Sequence, residues 1–496
     1  MLVSTLIVFL ASAILLWTFF RKKNYRLMKL AEKVPGPKPL PFIGNVLELG
    51  TGPKDLHLNI IRLADKYGAI YRFWLGSELY IVLQNSDYIQ IILSDAKNVD
   101  KSSVYDVLKP WLGTGLITST GEKWKASRRL ITPTFHFQIL NNFVEVFNKN
   151  ASIFVEKLAH HVGGSEFDIY PYITLCALDS ICETSMGVSI EAQRNSRSKY
   201  VQAIKSMCDI LVARVFNLLL YPDILFRLSS TGRQHDRDLV TLHGMTNKVI
   251  KTQRQKNLQE SAVADEVSND TGEKKRVPLL ELLIQSQDGA KMSDDEIRQE
   301  VDTIMFAGHD TTASAMSFIC WALAKHQHVQ ERVMAELKEI FGDSGHSPTL
   351  HDLQNMNYLE QVIKETLRLF PTVPIIGRKI NEDLNIGDYV LPAGANIFII
   401  TYTLHRDPKY FPNPEKFDPD RFSAEHIQGR PPYCYIPFAA GSRNCIGQKY
   451  AMLMLKSSLS TLLRNYKLLV GVTPLDLANE IILKSLSGIY IKLERR

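Results

Sequence analysis

The chain has 496 residues, 45% hydrophobic and 22% charged, the profile of an ordinary globular protein rather than a disordered chain, a collagen-like fibre or a polytopic membrane protein. Six cysteines in this length exclude a disulfide scaffold. The net charge of +6 is concentrated between Arg21 and Lys33, where six basic residues accompany one acid, Glu32, whereas a nucleic-acid binder would spread its excess over a groove or face, so no nucleic-acid partner is expected.

Met1 to Phe20 carries no charged side chain. At 1.5 Å per residue, about 20 residues span the roughly 30 Å hydrocarbon core of a bilayer. A cleaved signal peptide would have a basic start and a shorter apolar core. Here the charges follow the apolar run, so residues 1–20 are expected to be a transmembrane signal anchor. The positive-inside rule places Met1 on the lumenal side and the bulk of the chain in the cytosol. On that side the sequons at Asn150 and Asn269 would be silent. Residues 21–41 are a basic collar and a stiff hinge, because Pro35-Gly36-Pro37-Lys38-Pro39-Leu40-Pro41 cannot form a helix. Residues 42–496 remain as one domain.

Within that domain, Tyr71 to Leu83 predicts a hairpin around Gly76-Ser77, and residues 384–401 predict further short strands. Most of the rest has helical spacing. Lys251 to Arg276 is polar and predicts a solvated loop or frayed helix ends. Ser293-Asp294-Asp295-Glu296 is a capping box opening a helix that runs to about Lys325. Its interior is apolar almost all round, which predicts a helix crossing the protein centre. Ala307-Gly308-His309-Asp310-Thr311-Thr312 interrupts that character, and a mid-helix glycine costs about 1 kcal/mol against alanine. Cys176, Cys182, Cys208 and Cys320 lie in apolar, helix-like surroundings and read as inert core residues.

The strongest chemical signal is Phe438-Ala439-Ala440-Gly441-Ser442-Arg443-Asn444-Cys445-Ile446-Gly447, followed by a helical run from Gln448. A cysteine just before a helix N-terminus, beside glycines and an arginine, is a low-pKa thiolate site. Such a soft donor is a good ligand for haem iron. The five fixed positions of F-x-x-G-x-R-x-C-x-G would match by chance with a probability on the order of 10⁻⁴.

This motif resembles that of the cytochromes P450, and further family motifs follow in order from about Pro35 to the end. The resemblance implies a mainly α fold with a small β subdomain and a long central helix over the haem, behind the N-terminal transmembrane helix, with 42–496 as the catalytic domain. Glu365-Thr366-Leu367-Arg368 is similar to the family's E-x-x-R helix, and Pro419-Asp420-Arg421-Phe422 to its P-x-R-F segment. The resemblance implies a structural Glu365–Arg368–Arg421 cluster. It also implies Cys445 as the iron ligand, Phe438 and Gly441 in the cofactor loop, and Trp124, Arg128, Arg378 and Arg443 around the haem propionates. Asp310 and Thr311 match the acid–alcohol pair that relays protons at the oxygen-binding face, with Ala307 and Gly308 leaving room there. A haem-binding sensor or carrier without turnover would have no need of that pair.

Glu300 to Thr312 is similar to the long-helix signature of family 4, whose substrates are fatty acids, eicosanoids, terpenoids and, in insects, xenobiotics. The resemblance implies a monooxygenase of a lipophilic substrate; a broad xenobiotic or insecticide oxidase is the alternative. Many family 4 members carry a glutamate at the position of Ala307 that esterifies a haem methyl; alanine cannot, so haem b is expected to be held non-covalently. By family position the pocket draws on residues 102–118, Met305, Phe306, residues 372–376 and 485–489. Electrons would come from NADPH through cytochrome P450 reductase, with cytochrome b5 as a further partner. Lys123, Lys125, Arg129 and Lys449 are candidate docking residues, and the location implied is the endoplasmic reticulum membrane.

Overall fold

The computed structural model describes residues 24–217, 219–264, 279–285 and 292–496, with the isolated positions Ala11, Leu15, Thr18 and Lys22 before them. Most of the expected anchor, Arg21 and Lys23 of the collar, Asn269 and residues 265–276 of the polar segment lie outside the described residues. Among the described residues no helix is long and apolar enough to cross a membrane. The chain is mainly helical with small sheets, and it divides into two compact units.

The first unit comprises Met1–Val104, Ile375–Pro412 and Pro431–Asn444. Its helices include α1 (Pro53–Tyr67) and α2 (Ser86–Ser94), the latter capped by Asn85, whose side chain accepts from the N–H groups of Asp87 and Tyr88. The strands are β1 (Ile70–Leu75), β2 (Glu78–Leu83), β3 (Ile375–Lys379), β4 (Leu384–Ile386), β5 (Tyr389–Leu391) and β6 (Asn396–Ile400). The hairpin expected around Gly76-Ser77 is β1–β2, with Gly76 supplying the positive φ its tight turn needs. The main sheet runs β1-β2-β6-β3, and β2–β6 is its parallel pair. Phe73 and Tyr80 face each other across the hairpin and stack 5.2 Å apart, part of a core with Tyr71, Val82, Phe398 and Ile400. The prolyl hinge is bound to this sheet: the Arg72 guanidinium donates to the carbonyls of Ala31 and Pro37, and the Arg72 backbone N–H donates to Pro35 O at 2.8 Å.

The second unit comprises Tyr105–Pro374, Asn413–Arg430 and Cys445–Arg496. Its principal helices are α3 (Gly121–Ile131), α4 (Phe137–Leu158), α5 (Tyr170–Met186), α6 (Lys199–Phe216), α7 (Ser230–Ala264), α8 (Asp294–Lys325), α9 (Asn357–Leu369) and α10 (Gln448–Asn465). Strands β7 (Tyr466–Val470), β8 (Leu477–Asn479), β9 (Leu483–Ser485) and β10 (Tyr490–Arg495) close the chain as an antiparallel β10–β7 pair and a β8–β9 hairpin. The capping box forms: Ser293 Oγ accepts from Glu296 N–H and Glu296 Oε2 accepts from Ser293 N–H at 3.0 Å. From there α8 is buried over most of its length, as its apolar interior requires.

The polar run after Lys251 continues α7 as far as Ala264, the helix-end alternative for that segment, because its Gln, Lys, Leu, Glu and Ala residues are good helix formers. One detail differs from expectation. Gly308 does not leave open space: a Cβ there would lie 2.7 Å from Ile181 Cδ1, so its small size lets α5 approach α8 closely. That packing compensates for the helix-propensity cost. Asn150 is buried within α4 and its amide donates to Val146 O, so that sequon is inaccessible in the folded chain.

Candidate functional site

The expected site residues are divided between the two units. In the first unit, Arg378 stands on β3 and the cysteine motif supplies Phe438 to Asn444. The loop is fixed from both ends. Ile436 N–H donates to His405 Nε2 at 2.9 Å, and Ala439 N–H to Ile436 O. Gly441 has φ 74°, and a Cβ there would overlap the Leu93 carbonyl at the end of α2, so both its conformation and its surroundings demand glycine. Ala439 is also left-handed, at φ 55°. Arg443 is buried and donates to Val99 O, while Arg378, 1% exposed, donates to Gly377 O and, at 3.5 Å, to Arg443 O. The unit therefore buries two guanidinium groups, each donating to backbone carbonyls, and a buried cation of this kind suits a charge-assisted bond to an anionic group.

In the second unit, Cys445 lies two residues ahead of Gly447, the N-cap of α10. A Cβ on Gly447 would sit 3.9 Å from Cys445 Sγ. The other five cysteines are buried and Cys445 is exposed. Burial pushes the thiols of Cys176, Cys182, Cys208 and Cys320 up, consistent with inert core positions. Trp124 is buried on α3, and Arg128 is one turn further along. Burial lowers the Arg128 guanidinium, and the nearby Cys445 raises it in part. Lys123, Lys125, Arg129 and Lys449 are exposed.

On α8, Thr311 Oγ1 donates to Ala307 O at 2.7 Å. Asp310 is 6% exposed; Tyr170 of α5 donates its hydroxyl to Asp310 Oδ1 at 3.0 Å, and Lys484 Nζ lies 3.8 Å from Oδ2. Consecutive helix positions point about 100° apart, and the acid and the alcohol accordingly make different contacts. Of the expected pocket residues, Phe306 packs edge-on against Trp111 with ring centroids 5.1 Å apart. Thr372 O accepts from Leu483 N–H, so that wall segment meets the strand just before Ser485.

The structure brings Glu365, Arg368 and Arg421 together. Glu365 and Arg368, both fully buried on α9, form a two-bond ion pair at 2.7 and 2.8 Å; Glu365 also accepts from Asp418 N–H, and Arg421 Nε lies 3.6 Å away. Burial pushes the Glu365 carboxyl up, while these donors pull it back.

Tyr170, Lys484 and Glu300 were not singled out by the sequence. Glu300 is buried on α8 and accepts from Leu116 N–H at 2.8 Å, strapping the 113–118 loop to the helix. Gly115 sits so close to α8 that a Cβ would overlap Thr303. Its glycine spacing was a usable signal; the distant pairings of Asp310 left none.

The family model described as Cytochrome P450 matches residues 34–492. The chain is 43% identical to Cytochrome P450 4c3 of Drosophila melanogaster over 99% of its own length and 95% of that protein. It is 42% identical to Cytochrome P450 4V2 of Homo sapiens (92% of this chain, 88% of that protein) and 41% identical to Cytochrome P450 4c21 of Blattella germanica (93% and 92%).

Proposed function

This chain belongs to the cytochrome P450 family, whose members are monooxygenases, and from that premise we propose that it inserts one oxygen atom of dioxygen into a fatty acid, terpenoid or similar lipid. The observation that carries the site assignment is Cys445, the exposed cysteine of the six, placed just ahead of a helix N-terminus. The family implies a haem cofactor; in the second unit Cys445 offers a soft sulfur donor, and in the first unit Arg378 and Arg443 are buried cations suited to its carboxylates. A haem held there supplies the activation of dioxygen.

The chain's own residues do the rest. Cys445 Sγ binds iron; Trp124, Arg128, Arg378 and Arg443 hold the propionates; and Phe438 and Gly441 shape the loop. Ala307 offers no carboxylate for an ester, so the cofactor is retained without a covalent bond to that position. Glu365, Arg368 and Arg421 lock the surrounding fold. Asp310 takes protons from solvent and passes them through water to Thr311 Oγ1, which delivers them at the oxygen-binding face. Residues 1–20 anchor the chain in the endoplasmic reticulum membrane, 21–41 connect, and 42–496 form the catalytic domain on the cytosolic side. Electrons come from NADPH through cytochrome P450 reductase, which docks on Lys123, Lys125, Arg129 and Lys449, with cytochrome b5 as a second donor.

The test is turnover of a fatty-acid chain-length series with reductase and NADPH, reading hydroxyl position by mass spectrometry. A hydroxylated fatty acid is expected, and a terminal hydroxyl would mean that terminal selectivity survives with alanine at position 307. In-chain products would show fatty-acid oxidation without terminal selectivity, whereas no turnover by haem-loaded enzyme would overturn the fatty-acid assignment in favour of terpenoid or xenobiotic oxidation. Thr311→Ala should consume NADPH with little product; unchanged coupling would refute the role given to Thr311.

A further inference from the structure

Asp310 is held by a residue that no motif marks. Strand β9 is pinned to α8 next to it: Ser314 Oγ donates to Leu483 O at 2.8 Å, and Leu483 N–H donates to Thr372 O at 2.9 Å. Ser314 lies one helical turn beyond Asp310 on the same face. The residue after Leu483 therefore arrives opposite Asp310, and its side chain is Lys484, with Nζ 3.8 Å from Asp310 Oδ2. On its other side Nζ meets Glu480 Oε2 at 3.2 Å, at the turn between β8 and β9. Side-chain exposure is 8% at Asp310, 19% at Lys484 and 18% at Glu480, so the Glu480–Lys484 pair is the more exposed end of this row. Tyr170 closes the inner end by donating to Asp310 Oδ1.

We propose that Lys484 is a positioning residue for proton delivery: it fixes the Asp310 carboxylate against Tyr170, and the Glu480–Lys484 pair is the solvent end of the path that recharges Asp310. This rests on the relay role given to Asp310 above. Burial alone would lower the Lys484 ammonium, but Asp310 and Glu480 together raise it above its usual value, so it acts as a fixed cation over the working pH range. The other titratable groups near the cluster are Tyr170 on α5, Cys208 on α6 and His309 on α8. Burial pushes the first two up and His309 down, which keeps all three neutral beside it.

Two measurements on the full-length holoenzyme test this. The first is acylation of Lys484 by acetic anhydride, followed by mass spectrometry with exposed Lys449 as the internal reference. Lys484 should react roughly tenfold more slowly than Lys449 in the wild type, and several-fold faster in Asp310→Asn than in the wild type. Equal Lys484 rates in wild type and Asp310→Asn would overturn the proposal, whether or not the enzyme turns over. The second is product formed per NADPH across pH for Lys484→Met and Lys484→Arg. The Met variant should lose coupling roughly tenfold at unchanged KM, with a larger solvent isotope effect and an acidic limb moved to higher pH. The Arg variant should recover most of the coupling. A Met variant that couples like the wild type would refute Lys484's role while leaving the monooxygenase assignment intact; a wild type that makes no product sinks that assignment instead, and the acylation result still decides the Asp310–Lys484 contact.

Discussion

Replacing Glu365 by alanine removes the acceptor of the fully buried Glu365–Arg368 pair. Arg368, equally buried, would keep its bonds to Pro414 O at 2.7 Å and Lys416 O at 3.1 Å but would lose the carboxylate that balances its charge. Asp418 N–H would lose its 2.8 Å acceptor at the same time. Stripping one partner from a buried ion pair costs about 3–5 kcal/mol, and an orphaned buried donor about 1–3 more. Against a total stability of about 5–15 kcal/mol, a loss of about 4–8 kcal/mol should move the urea midpoint far down and lower the yield of folded protein. Glu365→Gln keeps an oxygen for Asp418 N–H and part of the Arg368 contact, so it should lose roughly half as much. Urea unfolding followed by far-UV dichroism, with holoprotein yield read from the Soret band, measures both variants. A Glu365→Ala protein within about 1 kcal/mol of wild type would show that the pair contributes nothing net, and the reasoning would fail.

Other consequences follow from single residues. Burial raises the Asp302 carboxyl to about 7, although Thr246 donates to it at 2.6 Å and Arg298 lies 3.3 Å away. The native state then keeps a proton that the unfolded state has released between about pH 4 and 7, so this residue makes stability fall as pH rises through that window and level off above it. Asp302→Asn should therefore gain about 1–3 kcal/mol relative to wild type between pH 5 and pH 8, and parallel urea curves at the two pH values would contradict that. Gly441→Ala should cost more than about 2 kcal/mol and most of the haem loading, because both the positive φ and the Leu93 carbonyl are backbone features that cannot move aside. Conversely, Ala439→Gly relieves a left-handed alanine and should stabilise by up to about 1 kcal/mol; a lower unfolding midpoint would argue against strain there.

Local rules made much of this fold legible. The capping box at Ser293, the β1–β2 hairpin and the E-x-x-R spacing on α9 each follow from residues within a few positions of one another. The cysteine motif was equally readable because its glycines, arginine and thiol are contiguous. The sequence neighbours of Gly308 do chemistry and so suggest space over the cofactor, but the packing partner that explains this glycine, Ile181, is distant in the chain. Likewise the partners of Asp310 lie 140 and 174 positions away, at Tyr170 and Lys484. Neither residue type is unusual in its own segment, so nothing local could single them out. Glu300 shares that limitation, since the loop it holds is 184 positions earlier.

The most direct test of the central claim is the reduced carbon monoxide difference spectrum of wild-type protein and Cys445→Ala, prepared side by side with their far-UV dichroism. The thiolate-type band should be present in wild type and absent from a Cys445→Ala protein that retains its helical content. If that band persists in Cys445→Ala, another side chain holds the iron, and the site built around the α10 N-terminus is wrong.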